Sequence, residues 1–359
     1  MDIGSLLFTV LSFAVAIGVL VFVHELGHFV VAKRVGVKVQ RFSIGFGPVL
    51  WAWRRGETEY ALSAIPMGGY VKMLGEAEDD PEALLEPERA FLGHRHRAAI
   101  VGAGPAMNFL FAFLAYACLF WAVGVERPSN APRVGGISPG LPAAQVGLRE
   151  GDRIVSVNDA PIETWEELSG AVAGSGGARL RLVVERDGAR FPLEVTPSLQ
   201  ENRTIFGEPA GQTFRIGIEA SREWEEVAPL EAVRMGALQT WVATKTVTLG
   251  LVKMIQGRVP MRELGGPIAI AQAAGRQARE GLRYFLSMLA FLSVNLAVLN
   301  LLPIPALDGG HLAFFAVEGV MRRPLRRRHR ELAQQVGILL LITLMVFVFY
   351  NDIHRLVQG

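Results

Sequence analysis

Cysteine and charge are what this chain of 359 residues is short of. A single cysteine, Cys118, excludes an intrachain disulfide and with it the small disulfide-stapled secreted folds. Charged residues make up 19% of the chain, against about 25% in ordinary soluble domains, and the mean hydropathy is +0.32. A disordered chain and a simple soluble domain are both excluded. The formal net charge of +2 offers no electrostatic footprint for nucleic acid, so no nucleic-acid partner is expected. No internal repeat is visible either, which argues against a transporter built from inverted halves.

What is there instead is a set of long uncharged blocks. Residues 3–23 carry no charge, and the apolar character resumes at residues 29–32 before Lys33 and Arg34. A bilayer crossing takes about 20 residues, so residues 1–32 read as a first transmembrane helix. Asp2 at the start and the absence of a basic leader argue against a cleaved signal peptide. Further spans are expected at 98–125, 284–302 and 333–359, the last including a short tail. Between them lie loops at 33–97 and 303–332, a polar insert at 126–220 and an amphipathic, membrane-apposed region at 221–283. Residues 230–255 are apolar enough to raise a fifth span, but Glu231, Arg234, Lys245 and Lys253 interrupt them. The 33–97 loop holds ten Lys or Arg, and the 303–332 loop holds six arginines between 322 and 330. Short basic loops stay in the cytoplasm, whereas a long insert translocates whatever its charge. The insert is therefore expected outside.

Chemistry enters at the end of the first span. His24-Glu25-Leu26-Gly27-His28 is an H-E-x-x-H motif: histidines at i and i+4 share a helix face and can hold one zinc ion, with the adjacent glutamate placed to handle water. Ionisable residues at membrane depth are costly and mark functional sites. A catalytic zinc needs a third protein ligand. Asp308, in Asn300-Leu301-Leu302-Pro303-Ile304-Pro305-Ala306-Leu307-Asp308-Gly309-Gly310 just past the third span, is the leading candidate, with His311 its rival.

H-E-L-G-H in a first span together with N-L-L-P-I-P-A-L-D-G-G after a late one resembles the site-2 protease family of intramembrane zinc metalloproteases, in particular the bacterial regulator-of-sigma-E group. S-I-G-F-G-P at 43–48, I-P-M-G-G-Y-V at 65–71, G-P-A-M-N-F at 104–109 and G-G-P-I-A at 265–269 extend the likeness over nearly the whole chain. The resemblance implies that His24, His28 and Asp308 bind Zn2+, that Glu25 is the general base, and that Asn300, Pro303 and Pro305 belong to a substrate-contacting loop. It implies a multi-pass protein of the bacterial cytoplasmic (inner) membrane. Its expected substrates are transmembrane segments of single-span proteins, anti-sigma-factor-like proteins or remnant signal peptides, already shortened by an upstream site-1-type protease. The rival is a proteolytically silent zinc-binding scaffold that presents its insert.

Residues 37–44 and 60–73 are strand-like, joined through Arg54-Arg55-Gly56 and bracketed by Gly45, Gly47, Gly68 and Gly69. They predict a re-entrant β-hairpin whose edge, near Gly68 and Gly69, accepts a substrate strand. Asn108 in the second span is expected to hydrogen-bond between helices or to line the site. His94 and His96 form an H-x-H pair that reads as part of a basic interface anchor. In the insert, strands are expected at 133–137, 151–158, 180–185 and 191–195, with a helix at 163–172 capped by Thr164 and Glu167. G-G-I-S-P-G-L-P-A-A-Q-V-G-L-R-E-G-D-R-I-V-S-V-N resembles a protease-associated PDZ domain, which implies either a peptide groove lined by Gly135, Gly136 and Ile137 or a purely steric, ligand-free role. Best-known proteobacterial members carry two tandem PDZ domains; this chain has room for one. The expected fold is a polytopic α-helical membrane protein of four transmembrane helices, with a re-entrant β-hairpin and one α+β PDZ-like extracytoplasmic domain.

Overall fold

The computed structural model describes residues 2–76, 85–91, 96–204, 206–323 and 325–358. Two compact units are present, one formed by Met1–Ala122 with Ala228–Gly359 and the other by Val123–Val227.

In the first unit, four helices among the described residues are long and apolar enough to cross a membrane: Ile3–Val35, Arg97–Val123, Leu282–Asn300 and Arg328–Val357. Helix α1 (Ile3–Val35) starts where the Asp2 carboxylate accepts the Ser5 N–H at 2.7 Å. It stops at Gly36, whose φ of 91° supplies the left-handed turn, with Lys33 and Arg34 beside the exposed carbonyls. Helix α2 (Arg97–Val123) carries Pro105 in its interior. Between them β1 (Val39–Arg55) and β2 (Thr58–Met73) are joined at Gly56.

These two strands are longer than the sequence pattern suggests, and they fold back. Residues 41–44 pair antiparallel with 69–72 on one side and run in step with 59–62 on the other; 59–62 also pairs with 51–54. The bends fall at Gly45, Gly47 and Gly68, with φ of 88°, 84° and 124°, a region that side chains rarely enter. A ring would be stabbed by any side chain at Gly68, since its Cβ would lie 2.0 Å from Phe46 Cε2. Residues 69–73 thus have a strand neighbour on one side only among the described residues. Leu50, Trp51 and Trp53 are exposed, Trp51 by 60%.

The second unit holds β3 (Val125–Pro128), β4 (Val134–Ile137), α3 (Pro142–Gln145), β5 (Arg153–Val157), β6 (Ala160–Pro161), α4 (Trp165–Ala173), β7 (Leu180–Arg186), β8 (Ala189–Val195), β9 (Ser198–Arg203), β10 (Pro209–Arg215), β11 (Ile218–Ala220) and β12 (Arg222–Glu225). Four strands form one sheet in the order β6-β5-β7-β8, and β10-β9, β11-β4 and β12-β3 form ladders. Ile154, Leu168, Leu182 and Val184 meet in its core. The expected capping box is present: Thr164 accepts the Glu167 N–H, and the Glu167 carboxylate accepts the Thr164 N–H.

Back in the first unit, α5 (Pro229–Ile255) is a continuous helix, packed through Ala243 and Val247 against Ala112 and Tyr116 of α2 and Ala290 and Val294 of α7 (Leu282–Asn300). Its 27 residues are long enough to cross a bilayer, but it is not one of the four described helices that are also apolar enough. Helix α6 (Pro267–Glu280) lies along α1, where a Cβ on Gly275 would meet Thr9 Oγ1 at 2.6 Å. Its first turn is capped from α9 (Arg327–Gln358): buried Asp352 accepts the N–H groups of Gly266, Ile268 and Ala269 at 2.9, 2.9 and 3.2 Å. This is what G-G-P-I-A is for: Gly266 leaves room for a carboxylate, and Pro267 starts a helix without losing a needed donor. Helix α8 (Asp308–Met321) completes the unit.

Candidate metal centre

At a rise of about 1.5 Å per residue, His24 lies about 30 Å along α1 from its start, roughly one hydrocarbon thickness. One turn later comes His28. Their Nε2 atoms are 3.2 Å apart and their rings stand nearly perpendicular, at 83°. Asp308, the first residue of α8, brings its Oδ2 to 3.0 Å from His24 Nε2 and 3.7 Å from His28 Nε2. His24, His28 and Asp308 form the one metal-ready cluster among the described residues. A tetrahedral zinc with bonds of 2.0–2.2 Å separates its ligand atoms by about 3.3–3.6 Å, which the three observed distances bracket. Asp308 Oδ2 is buried without a hydrogen bond, an orphaned acceptor that a cation would satisfy. The residues fit zinc.

The outer contacts aim these atoms. His28 Nδ1 lies 2.8 Å from the Ile100 carbonyl, so Nδ1 holds the proton and the Nε2 lone pair points inward. His24 Nδ1 lies 3.1 Å from the Asn108 amide, whose Oδ1 is otherwise buried without a partner. Turning that amide over lets Oδ1 accept from His24 Nδ1, which frees the second inward lone pair as well. Ser293 of α7 holds the Asn108 carbonyl at 2.9 Å. The Asn300 amide nitrogen is 3.4 Å from His24 Nε2.

Close approach of α1 and α2 makes this possible. A Cβ on Gly27 would fall 2.2 Å from the Ala103 carbonyl, and one on Gly104 would fall 2.4 Å from His28 Nε2. On the other side, Gly309 and Gly310 let the N-terminus of α8 tuck under its own loop: Cβ atoms there would meet Leu302 O at 2.3 Å and Ile304 O at 2.2 Å. Only with two bare residues after Asp308 can that carboxylate be folded back toward α1.

Glu25 faces a cavity of about 520 Å³ with His24, His28, Asp308, Tyr70 and Val71 in its wall. Its carboxylate is in hydrogen-bonding reach of the Val71 backbone, and its Cγ would touch a Cβ on Gly69 at 3.3 Å. His311 lines the cavity but stands outside the cluster that Asp308 completes. Burial pushes the His311 pKa below the usual imidazole range, outweighing the pull of Asp308, so it faces the site neutral.

Of the other residues read from sequence, Asn108 and Asn300 touch His24, and Gly69 touches Glu25. Gly68 lies under Phe46, and Pro303 and Pro305 form the loop behind Gly309 and Gly310; none of these three lines the cavity. Gly135, Gly136 and Ile137 lie in β4, paired with β11. A cleft of the insert runs between α4 and residues 213–219, with Trp165, Leu168, Ile216 and Ile218 in its wall, and does not include them. The reason is register: β11 stands between β4 and that cleft. His94 lies outside the described residues. Gly104 and the Ile100 carbonyl were not singled out as site-shaping. The nearest signal was a small-residue run, Gly102-Ala103-Gly104, opposite a glycine inside the metal motif.

Residues 12–344 match peptidase family M50. The chain belongs to that family. A Mesorhizobium japonicum protein with a zinc-metalloprotease name is 37% identical over 363 residues, covering 96% of this chain and 98% of that one. The regulator of sigma-E protease RseP of Salmonella typhimurium is 33% identical, covering 98% of this chain and all of its own length. Zinc metalloprotease RasP of Geobacillus kaustophilus is 30% identical, covering 97% and 98%. The site-2 protease resemblance is thereby borne out, and the four apolar helices make the chain a multi-pass membrane protein.

Proposed function

We propose that this chain is an intramembrane zinc endopeptidase that cuts transmembrane segments of single-span proteins. The observation that carries the reading is the convergence of His24, His28 and Asp308 on one small volume, with Glu25 in the same cavity wall. A structural zinc site has four protein ligands and no adjacent glutamate; three plus a glutamate favours catalysis over a silent scaffold.

Zinc bound there supplies Lewis-acid chemistry, which makes water a usable nucleophile near neutral pH and polarises the scissile carbonyl. The chain's own residues do the rest. Glu25 takes the proton from water and passes it to the departing amine, so no covalent bond to the protein is needed. His24 and His28 are held to one tautomer by Asn108 and the Ile100 carbonyl. A helical substrate hides its carbonyls in its own hydrogen bonds and must be opened into an extended strand. The edge of residues 69–73, which has no strand neighbour on that side among the described residues and runs beside Glu25, is suited to hold it by strand addition once the Glu25 and Glu76 carboxylates release the Val71 backbone and the Met73 N–H. The exposed Leu50, Trp51 and Trp53 support a hairpin set in the membrane, since aromatic side chains favour the lipid interface. Localisation in the bacterial inner membrane, an extracytoplasmic PDZ-like insert and trimming of substrate by an upstream protease belong to the same reading.

The test is cleavage by the full chain reconstituted with a panel of single-span substrates, parent against Glu25→Gln. The variant is expected to keep its zinc and lose at least ~100-fold in turnover, the lower end of general acid–base contributions. Equal turnover in the two would remove Glu25 from its role and the proposal with it.

A further inference from the structure

A second cavity, of about 430 Å³, lies at the other end of α8 from Asp308. Its wall is made by Arg97, Phe315, Glu318, Gly319, Arg322 and Arg323. The charges in it are unequal in kind. Glu318 is buried, and its carboxylate is already committed to Arg97, to Arg330 at 2.7 Å and to the Leu325 N–H at 3.0 Å. Arg97 also stacks over Phe315 at 4.4 Å. Arg322 and Arg323 are exposed and have no acidic partner among the described residues. The cavity therefore presents two uncompensated guanidinium groups over an aromatic floor.

Its surroundings narrow what fits. Arg97 in its wall opens the span of α2, and Glu318 in its wall is held by Arg330 in the first turn of α9, so the cavity lies where two membrane helices begin. Directly beside the two arginines, α8 exposes Val317, Val320 and Met321, Val320 by 86%. A soluble anion has no use for that aliphatic strip, whereas an acyl chain does. A zwitterionic headgroup would bring an ammonium toward guanidinium groups. Guanidinium forks match phosphate oxygens in bidentate fashion, and basic pockets between membrane helices on the cytoplasmic side suit anionic headgroups. We propose that this cavity is a binding site for one anionic glycerophospholipid, its phosphate held by Arg322 and Arg323 and an acyl chain lying along Val317, Val320 and Met321.

The test counts lipid on the intact full-length protein by native mass spectrometry, in detergent titrated separately with dioleoylphosphatidylglycerol, dioleoylphosphatidylcholine and inorganic phosphate. One phosphatidylglycerol is expected to bind tightly, with phosphatidylcholine weaker and millimolar phosphate failing to displace it. Arg322→Asn with Arg323→Gln should weaken phosphatidylglycerol binding roughly 30-fold, from about 1 kcal/mol for each basic residue near an anionic surface. Asparagine is chosen because Arg322 sits at φ 52°, which asparagine tolerates. Arg326→Gln with Arg328→Gln removes the same charge from the same segment outside the cavity wall and should leave that binding within about threefold, screening aside. The proposal is overturned if the two double variants weaken binding equally, if phosphatidylcholine binds as tightly as phosphatidylglycerol, or if millimolar phosphate displaces the lipid. Melting temperatures of both variants check the fold without reference to catalysis.

Discussion

Gly104→Ala adds one methyl group to a helix and should damage the metal centre more than the fold. The new Cβ would sit 2.4 Å from His28 Nε2, 2.5 Å from His28 Cε1 and 2.8 Å from His24 Cε1. Ordinary contact distances demand that the rings or α2 give way by about 1 Å, a shift of the size that costs ~100-fold when it falls on reacting groups. Zinc tolerates only about 0.2 Å in its bonds. Against this, alanine in a helix interior is favoured over glycine by about 0.5–1 kcal/mol, while overpacking costs about 1–3 kcal/mol. Net stability should therefore fall by no more than about 2.5 kcal/mol by these terms, whereas turnover should fall ~100-fold, equivalent to about 2.7 kcal/mol of barrier. Gly102→Ala is the matched control: it lies in the same helix, two residues away, with nothing within 4 Å of its added Cβ. Purified variants are compared for melting temperature, zinc retained after dialysis against a weak chelator, and cleavage of a reconstituted single-span substrate. If Gly104→Ala matches Gly102→Ala in zinc retention and turnover, the claim that α2 sets the imidazole geometry is wrong.

Asn108→Leu removes the group that fixes the His24 tautomer, and zinc affinity should drop about 10- to 100-fold, read by competition with a chromogenic chelator. Asp352→Ala strips three backbone N–H groups at the start of α6 of a charged acceptor. Local stability there should fall by about 2–4 kcal/mol, seen as faster amide exchange in residues 266–280 with zinc content unchanged. In the insert, burial would raise the Asp152 pKa, but hydrogen bonds from Arg186 and the Arg149 N–H outweigh it and hold it below the usual carboxylate range. A carboxylate depressed on folding stabilises above its unfolded pKa and loses that contribution as pH falls through its folded value. Amide protection in residues 126–227 of the parent should then decline below about pH 4, while Asp152→Asn should be weaker at neutral pH and flatter across the acid range.

The spans were legible because a bilayer imposes one length on every crossing, and residues 3–23 meet it without a single charge. His24, Glu25 and His28 were legible because a helix repeats within four residues. Asp308 was legible only as a candidate, because nothing local says that Gly309 and Gly310 let its loop fold under α8. The strand pattern of 37–73 was visible, but not its doubling back. Alternation says which side chains share a face, not that residues 41–44 have neighbours on both sides, and that depends on three glycines at positive φ. The surroundings of Gly135 and Gly136 were hidden for a related reason. A glycine pair beside an isoleucine marks a strand that approaches another backbone closely, and here that backbone is β11, not a ligand.

Four elements separated by up to 284 residues in the chain, counted from His24 to Asp308, fix one small volume, and each does so with a different kind of group. α1 contributes imidazoles, α8 a carboxylate, β2 a strand edge, and α2 a carbonyl, an amide and a bare glycine. α2 contributes no metal-binding atom, yet both histidines are oriented from it, through Ile100 and Asn108. The sites most sensitive to substitution should therefore not coincide with the motif that announces the chemistry. Within H-E-x-x-H, Gly27 is as constrained as the histidines, because its missing Cβ is the space in which the Ala103 carbonyl lies. The metal motif is then better understood as one half of a helix crossing, whose other half is Ala103-Gly104, and the chemistry depends on how closely that crossing is packed.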